Sequence, residues 1–423
     1  MRHLSLTLAA LAVIPLTAAE PVADPTIKEA ITGGNVSVAL RARTEMVDVE
    51  GVGEGAIANT LRLALGYTTL PWQGLSVSAQ FEGVYDLGGS KYSHPLAPDA
   101  SRPTILDYYS TNELQQAWIQ YAPAFAKGAS AKIGRQEINF DNQRWVGNVG
   151  WRQDWQSFDA GRIDFTTKEG PLSALSATFA RVTAVHRILP DESAAGVSDV
   201  DANFINVAWK AAPFVTLVGY GYFLDYESGP IPATRSTSTV GVRASGAWAF
   251  ADPWKATYTA EFAKQNDFGD NPGEVDQPYA LIEAGVGWKS LGISLGYELL
   301  GGDSTTANNV VNSPLATVHA HNGWADIFAG STPAGGLVDM YIKVGGGIPQ
   351  VKGLKAMVFY HVFTADDSAA AAQNYGTELD LLIEYQCVTF DPSLLFGVKY
   401  ASYSADEIGA DTEKLWIYSQ YTF

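Results

Sequence analysis

The sequence is almost free of thiol: one cysteine, Cys387, stands among 423 residues. No internal disulfide can form, so the fold must hold without oxidative cross-links. Charge is also scarce, at 17% of residues, where about 25% is usual for a soluble domain. Basic residues are the rarer sign, and 27 Lys+Arg against 45 Asp+Glu leave a formal net charge of −18. That balance lacks the basic footprint of a nucleic-acid binder. Long apolar runs are missing too, since nothing approaches the about 20 residues that a membrane-crossing helix needs. Glycine is plentiful, at 41 residues, and aromatics make up 12%. Such a chain is too apolar for disorder. Two classes remain, a secreted soluble all-β protein and a transmembrane β-barrel.

Residues 1–19 read as a cleaved secretory signal peptide. Met1-Arg2-His3 is a basic start, Leu4 to Leu16 is mostly apolar, and Thr17-Ala18-Ala19 offers small residues for cleavage. The apolar run is too short for an anchor helix, and Pro15 interrupts it. Residues 20–33 follow as a periplasmic lead-in, with one short helical turn expected around Ile27–Ala30.

From residue 34 onward the pattern has period two. Leu61, Leu63, Leu65 and Tyr67 alternate with Arg62, Ala64, Gly66 and Thr68. Ile293, Leu295, Tyr297 and Leu299 alternate with Ser294, Gly296 and Glu298. Successive side chains on a strand point to opposite faces, so each run has one apolar face and one small or polar face. About eighteen such runs fill the chain. The seventh is expected from Leu172 and the eighth from Ala202.

The connections alternate in length. Leu70-Pro71-Trp72-Gln73-Gly74, Ala211-Ala212-Pro213, Ala251-Asp252-Pro253 and Lys289-Ser290 are short. Between them lie long polar stretches at 88–112, 139–156, 187–201, 266–277, 301–336 and 364–376. Short turns at one end and long loops at the other are the layout of an outer-membrane barrel. The fold expected is therefore all-β: a single antiparallel transmembrane β-barrel of about 18 strands over residues 34–423. Its short turns are periplasmic, its long loops are extracellular, and both termini lie inside the cell envelope. Tyr67, Trp72, Tyr121, Trp254, Trp288, Tyr360, Tyr400 and Trp416 suit two aromatic girdles. The chain ends on Phe423, which resembles the signal read by the barrel assembly machinery. Outer-membrane lipid and lipopolysaccharide are the surroundings this reading implies.

The stretch Gly134-Arg135-Gln136-Glu137-Ile138-Asn139-Phe140-Asp141-Asn142-Gln143-Arg144-Trp145-Val146-Gly147 resembles the alginate export family of outer-membrane porins. The likeness continues through Trp151-Arg152-Gln153 and Gln156-Ser157-Phe158-Asp159-Ala160. A second block, Ser313-Pro314-Leu315 through His319-Ala320-His321-Asn322-Gly323-Trp324-Ala325-Asp326, is similar as well. So are the opening strand with Arg41 and Arg43 and the ending from Thr412 to Phe423. The resemblance implies an eighteen-stranded barrel whose arginines guide an anionic polysaccharide outward across the outer membrane of a Gram-negative bacterium.

The alternation puts Arg41, Arg43, Arg62, Arg162, Arg243 and Lys343 on polar faces, with Arg135, Arg144 and Arg152 at the outer end of the fifth strand and in its loop. These nine are the candidate pore-lining and solute-binding residues. A guanidinium offers a planar fork that matches carboxylates and stays charged at working pH. The same arginines could instead pair with acids and brace the wall. Glu45, Glu82, Asp164, Glu261, Glu283, Glu298 and Asp339 are on inward-facing positions too.

Loop 301–336 is the longest and carries Leu315, Val318, Trp324, Ile327 and Phe328. Apolar content of that kind is awkward in water. The loop is expected to fold inward or over the mouth, with His319, His321, Trp324 and Asp326 as constriction residues. Loop 88–112 offers Tyr92, Tyr108 and Tyr109 as sugar-stacking surfaces. A His319-centred hydrolase would need a nearby serine and an orienting acid, and neither Ser313 nor Ser331 sits at a motif spacing. The expected activity is passive transport of an anionic polysaccharide or another anionic, sugar-like solute, with no catalysis, cofactor, metal or nucleic-acid partner. A substrate-specific or general uptake porin for small nutrients is the rival reading, followed by a barrel enzyme or adhesin.

Overall fold

The computed structural model describes residues 24–423 except 109 and 171. The expected signal peptide, the first residues of the lead-in and Tyr109 lie outside the described residues. A short helix, α1 (Ile27–Thr32), opens the described chain. Thr26 caps it: its hydroxyl accepts from the Glu29 amide, and the Glu29 carboxylate accepts from the Thr26 amide.

Strands follow in order. The first nine are β1 (Asn35–Val49), β2 (Ala56–Thr68), β3 (Leu75–Asp86), β4 (Thr111–Tyr121), β5 (Ala129–Gln136), β6 (Ser157–Thr166), β7 (Leu175–His186), β8 (Val197–Ala212) and β9 (Val215–Ser228). The second nine are β10 (Thr237–Ala251), β11 (Trp254–Asp267), β12 (Asp276–Trp288), β13 (Leu291–Leu300), β14 (Leu337–Gly347), β15 (Leu354–Thr364), β16 (Asn374–Gln386), β17 (Leu394–Ala405) and β18 (Thr412–Thr422). Each strand pairs antiparallel with its neighbours in sequence, and β1 pairs with β18 to close the sheet. Closure leaves no sheet edge, which a bilayer would not tolerate. No described helix is long and apolar enough to cross a membrane; the strands do the crossing.

The eighteen-stranded barrel read from the alternation is thus the observed architecture. The seventh and eighth strand starts are among those that differ from the sequence reading. The seventh begins at Leu175, because Ala174 takes a left-handed conformation (φ 62°) that ends the preceding turn. The eighth begins at Val197, before the apolar pattern. Ser198 and Asp199 extend it through a stretch where no apolar outward row exists to be read.

The packing is inverted relative to a soluble protein. Outward rows are apolar and exposed, as with Leu295, Ile293 and Ile383, while the buried core lies inside the barrel. Glycine on inward rows makes room for cross-strand rings. A Cβ on Gly296 would stand 2.0 Å from the Tyr341 ring, and one on Gly397 would stand 2.1 Å from Tyr418. Each of these glycines faces its tyrosine directly across the ladder. One girdle assignment is corrected here. Trp416 is opposite Glu45 and Lys399, both inward, and is fully buried. It packs edge-on against Trp151 at 5.8 Å, so strand propensity and not a membrane interface placed it in the pattern.

Candidate functional site: two loops clasped inside the barrel

The interior is occupied by two connections, 137–156 between β5 and β6 and 301–336 between β13 and β14. They hold one another through backbone. Val146 and Leu315 form a parallel bridge. The Gly147 amide donates to the Leu315 carbonyl at 2.9 Å, and the Thr317 amide to the Gln143 carbonyl at 3.0 Å. Gln156 Nε2 adds a 3.2 Å bond to the same Leu315 oxygen. Buried polar backbone must find partners, and each loop supplies them for the other.

Loop 137–156 spans from one wall to the other. Near its middle, the Trp145 indole donates to the Tyr220 hydroxyl of β9 at 2.9 Å and to Glu261 of β11 at 3.1 Å. Phe140 stacks on Tyr222 at 5.5 Å. At the far end the loop meets β1 to β3. Arg41 donates to Gln153 Oε1 at 2.8 Å and to the Gly150 and Arg152 carbonyls. Arg43 donates to the Trp151 carbonyl at 2.6 Å and pairs with Asp107. Arg62 pairs with Glu82 and lies over the Trp155 ring at 3.8 Å. The sequence marks 139–156 as a long polar connection that carries the family-like block and the candidate cations Arg144 and Arg152, but not its insertion into the lumen. Its signal was present, for Ile138, Phe140, Trp145, Val146, Val149 and Trp155 are all buried.

Loop 301–336 takes the opposite side, β13 to β17. The Asn322 amide nitrogen donates to Glu298 at 2.7 Å and to Asp339 at 3.2 Å. The backbone amides of Trp324 and Ala325 donate to Asp380 and Glu378. His319 sits at the junction. Its Nδ1 is 2.8 Å from Asp326 and its Nε2 is 2.7 Å from the Lys399 amine, while its ring stacks on Trp151 at 4.8 Å. Burial, with Lys399 beside it, holds the imidazole well below its ordinary pKa. A neutral ring with its proton on Nδ1 satisfies both neighbours. Burial would raise Asp326, but His319, Lys414 and Arg152 together hold it well below the carboxylate range. His321, buried beside Arg144, is pushed down to about 4.

The nine candidate cations thus divide. Arg41, Arg43, Arg62, Arg144 and Arg152 are buried and committed to loop or wall partners. Arg162, Arg243 and Lys343 face inward and remain partly open, with side chains 24%, 13% and 28% exposed. Each of those has an acid beside it, Asp164, Glu261 and Glu283 respectively. Arg135 does not face the lumen. It follows Ile133 by two residues, on the outward row, and reaches the Leu114 carbonyl at 3.1 Å and Asp191 at 2.9 Å. Inward exposure also falls to Lys132, opposite Arg162, a residue the sequence reading did not single out. In loop 88–112 the Tyr92 hydroxyl donates to the Asp107 carbonyl at 2.8 Å and Tyr108 packs on His94 at 4.6 Å.

A family model described as alginate export matches residues 35–314. The chain belongs to the alginate export family. Among solved structures it is similar to OccK9 (OpdG) of Pseudomonas aeruginosa, at 14% identity and a TM-score of 0.71, over 93% of this chain and 99% of that one. OpdK of the same organism, solved with vanillate, shares 16% identity at a TM-score of 0.69 over 93% and 99%. OccAB4 of Acinetobacter baumannii shares 15% at 0.68 over 92% and 97%. At such identities the likeness concerns the fold. No curated relative matches the chain. With the family and the barrel established, this alginate export family member is a porin-like channel of the Gram-negative outer membrane.

Proposed function

We propose that the channel passes small organic anions, carboxylates and sugar acids above all, by passive diffusion. One observation carries this: loops 137–156 and 301–336 cross the barrel interior and are clasped to each other and to opposite walls. An eighteen-stranded barrel is otherwise wide enough for an open aqueous pore. Filling it narrows the route toward single solutes and away from a bulky polymer. The partly open Lys132, Arg162 and Lys343 offer cations along the remaining route, and rings of charge set selectivity. The vanillate carried by the structurally similar OpdK is a small carboxylate, which fits this class. The family description favours a second reading, export of a uronate polymer.

Planar-bilayer recording with reversal potentials under a salt gradient tests the proposal. The expected result is anion-selective current reduced by monomeric glucuronate and aromatic carboxylates. Block by oligouronates alone would favour the polymer. Cation selectivity would overturn both.

A further inference from the structure

The outer wall is uneven. On β13 the outward row runs Leu291, Ile293, Leu295, Tyr297 and Leu299, all apolar. Five alternate positions cover about 26 Å of strand and, at a tilt of about 40°, about 20 Å of height. With side-chain ends this meets the apolar band of about 25 Å that a barrel presents to lipid. On β7 the outward row is Leu175, Ala177 and Phe179, and then comes Arg181. On β6 it is Phe165, Ile163 and Gly161, and then Asp159. Three positions give only about 10 Å of height.

The register confirms the facing. Gly161 is opposite both Ile133 and Arg181, Arg181 is opposite Asn203, and Ile133 is strongly exposed. Arg181 pairs with Asp201 on this outer surface, both side chains 44% exposed. The wall is also thin here. β5 has 8 residues, below the about 9–11 that a membrane-spanning strand needs. Its pairing with β4 covers only Ala117–Tyr121 against Ala131–Arg135, and Arg135 caps the Leu114 carbonyl where the ladder stops. Hydrocarbon against this face would strip water from charged groups, at a steep cost for each.

We propose that the outer face of β5 to β8 is where copies of this chain meet in the membrane. A second copy suits the face because the face carries both signs close together, Arg135 and Arg181 beside Asp159, Asp199 and Asp201. Anionic lipopolysaccharide phosphates would meet those acids with like charge. A second copy presents arginine to aspartate and covers the thin seam between β4 and β5.

Cysteine cross-linking in intact outer membranes tests this, using the full chain with C387S as background. Single substitutions Ile133→Cys, Phe179→Cys or Ile205→Cys, treated with a short bis-maleimide, are expected to yield a species of twice the monomer mass, since each chain then carries one thiol. Ile383→Cys, on β16 across the barrel, is expected to give none. Monomer alone from all three positions, with each thiol shown to react with a mono-maleimide, overturns the proposal; it would mean a locally thinned membrane. An adduct of any other mass overturns it in favour of a different protein. The double variant Arg181→Leu, Asp201→Leu supplies the second readout. It is expected to reduce the oligomer share at least fivefold while the folded barrel persists on unheated gels; an unchanged share counts against the proposal.

Discussion

Arg144 and Glu298 meet 3.2 Å apart inside the barrel, each side chain almost wholly buried. The guanidinium comes from loop 137–156 and the carboxylate from β13, so one ion pair ties the first inserted loop to the wall that carries the second. Asn322 of the second loop touches both, accepting from Arg144 at 3.1 Å and donating to Glu298 at 2.7 Å. Removing one partner of a buried pair costs about 3–5 kcal/mol, because the other charge is stranded. Arg144→Met is therefore expected to undock the loops without opening the barrel. Protease digestion in lipid vesicles should cleave within 137–156 far faster than in the parent. Glu298→Gln added to Arg144→Met should recover part of the protection, and a double variant as labile as the single one would sink the account.

Trp145 is the apolar anchor of the same loop, buried between Tyr220 and Tyr279 with its indole nitrogen bonded. Trp145→Ala removes a large buried ring, a loss of about 3–5 kcal/mol in a packed site. The expected phenotype is functional: single-channel conductance rises and open-state noise grows, because a loop that filled the lumen becomes loose.

Loop docking should depend on pH through Glu137. Burial pushes its carboxyl up to about 7, against the bond from Asn148 Nδ2 at 2.7 Å. A carboxyl raised in the docked state stabilises docking most below its ordinary value near 4.5, and this contribution is lost as pH rises through about 7. Protease resistance of 137–156 should thus fall between pH 5 and 8. Glu137→Gln should flatten the profile; a parent profile that rises with pH would reject the assignment.

Selectivity should follow the partly open cations. Arg162→Ala together with Lys343→Ala is expected to shift the reversal potential toward cations and to weaken block by glucuronate, while Arg41→Ala, whose guanidinium is spent on the Gly150 and Arg152 carbonyls, acts through loop docking instead. Recording both variants beside the parent under one salt gradient separates the two roles.

The lipid-facing row of β13 gives a stability check. Leu295 is 62% exposed at the middle of the strand. Leu295→Arg should cost about 2–4 kcal/mol at mid-depth, read from urea unfolding in vesicles, and Ser294→Arg would instead disturb packing inside.

The sequence by itself determined the barrel. Alternation such as Leu291 to Leu299 is a local consequence of having lipid on one side of a strand, and loop length by parity is a local consequence of having two different compartments. Both can be read along the chain. The inward rows with Arg41, Arg43, Arg62, Arg162, Arg243 and Lys343 were legible for the same reason. Only the tertiary structure decided which of these cations remain open. Arg41 is bonded to Gln153, 112 residues away, and Arg144 to Asn322, 178 residues away; no period or spacing encodes such partners. The inward insertion of 137–156 and the outward facing of Arg135 were likewise decided by closure. β5 stops after 8 residues, and the chain turns into a lumen that exists only once β1 has met β18. Strand character is set by neighbours in sequence, whereas the contents of a barrel are set by what the closed wall brings face to face.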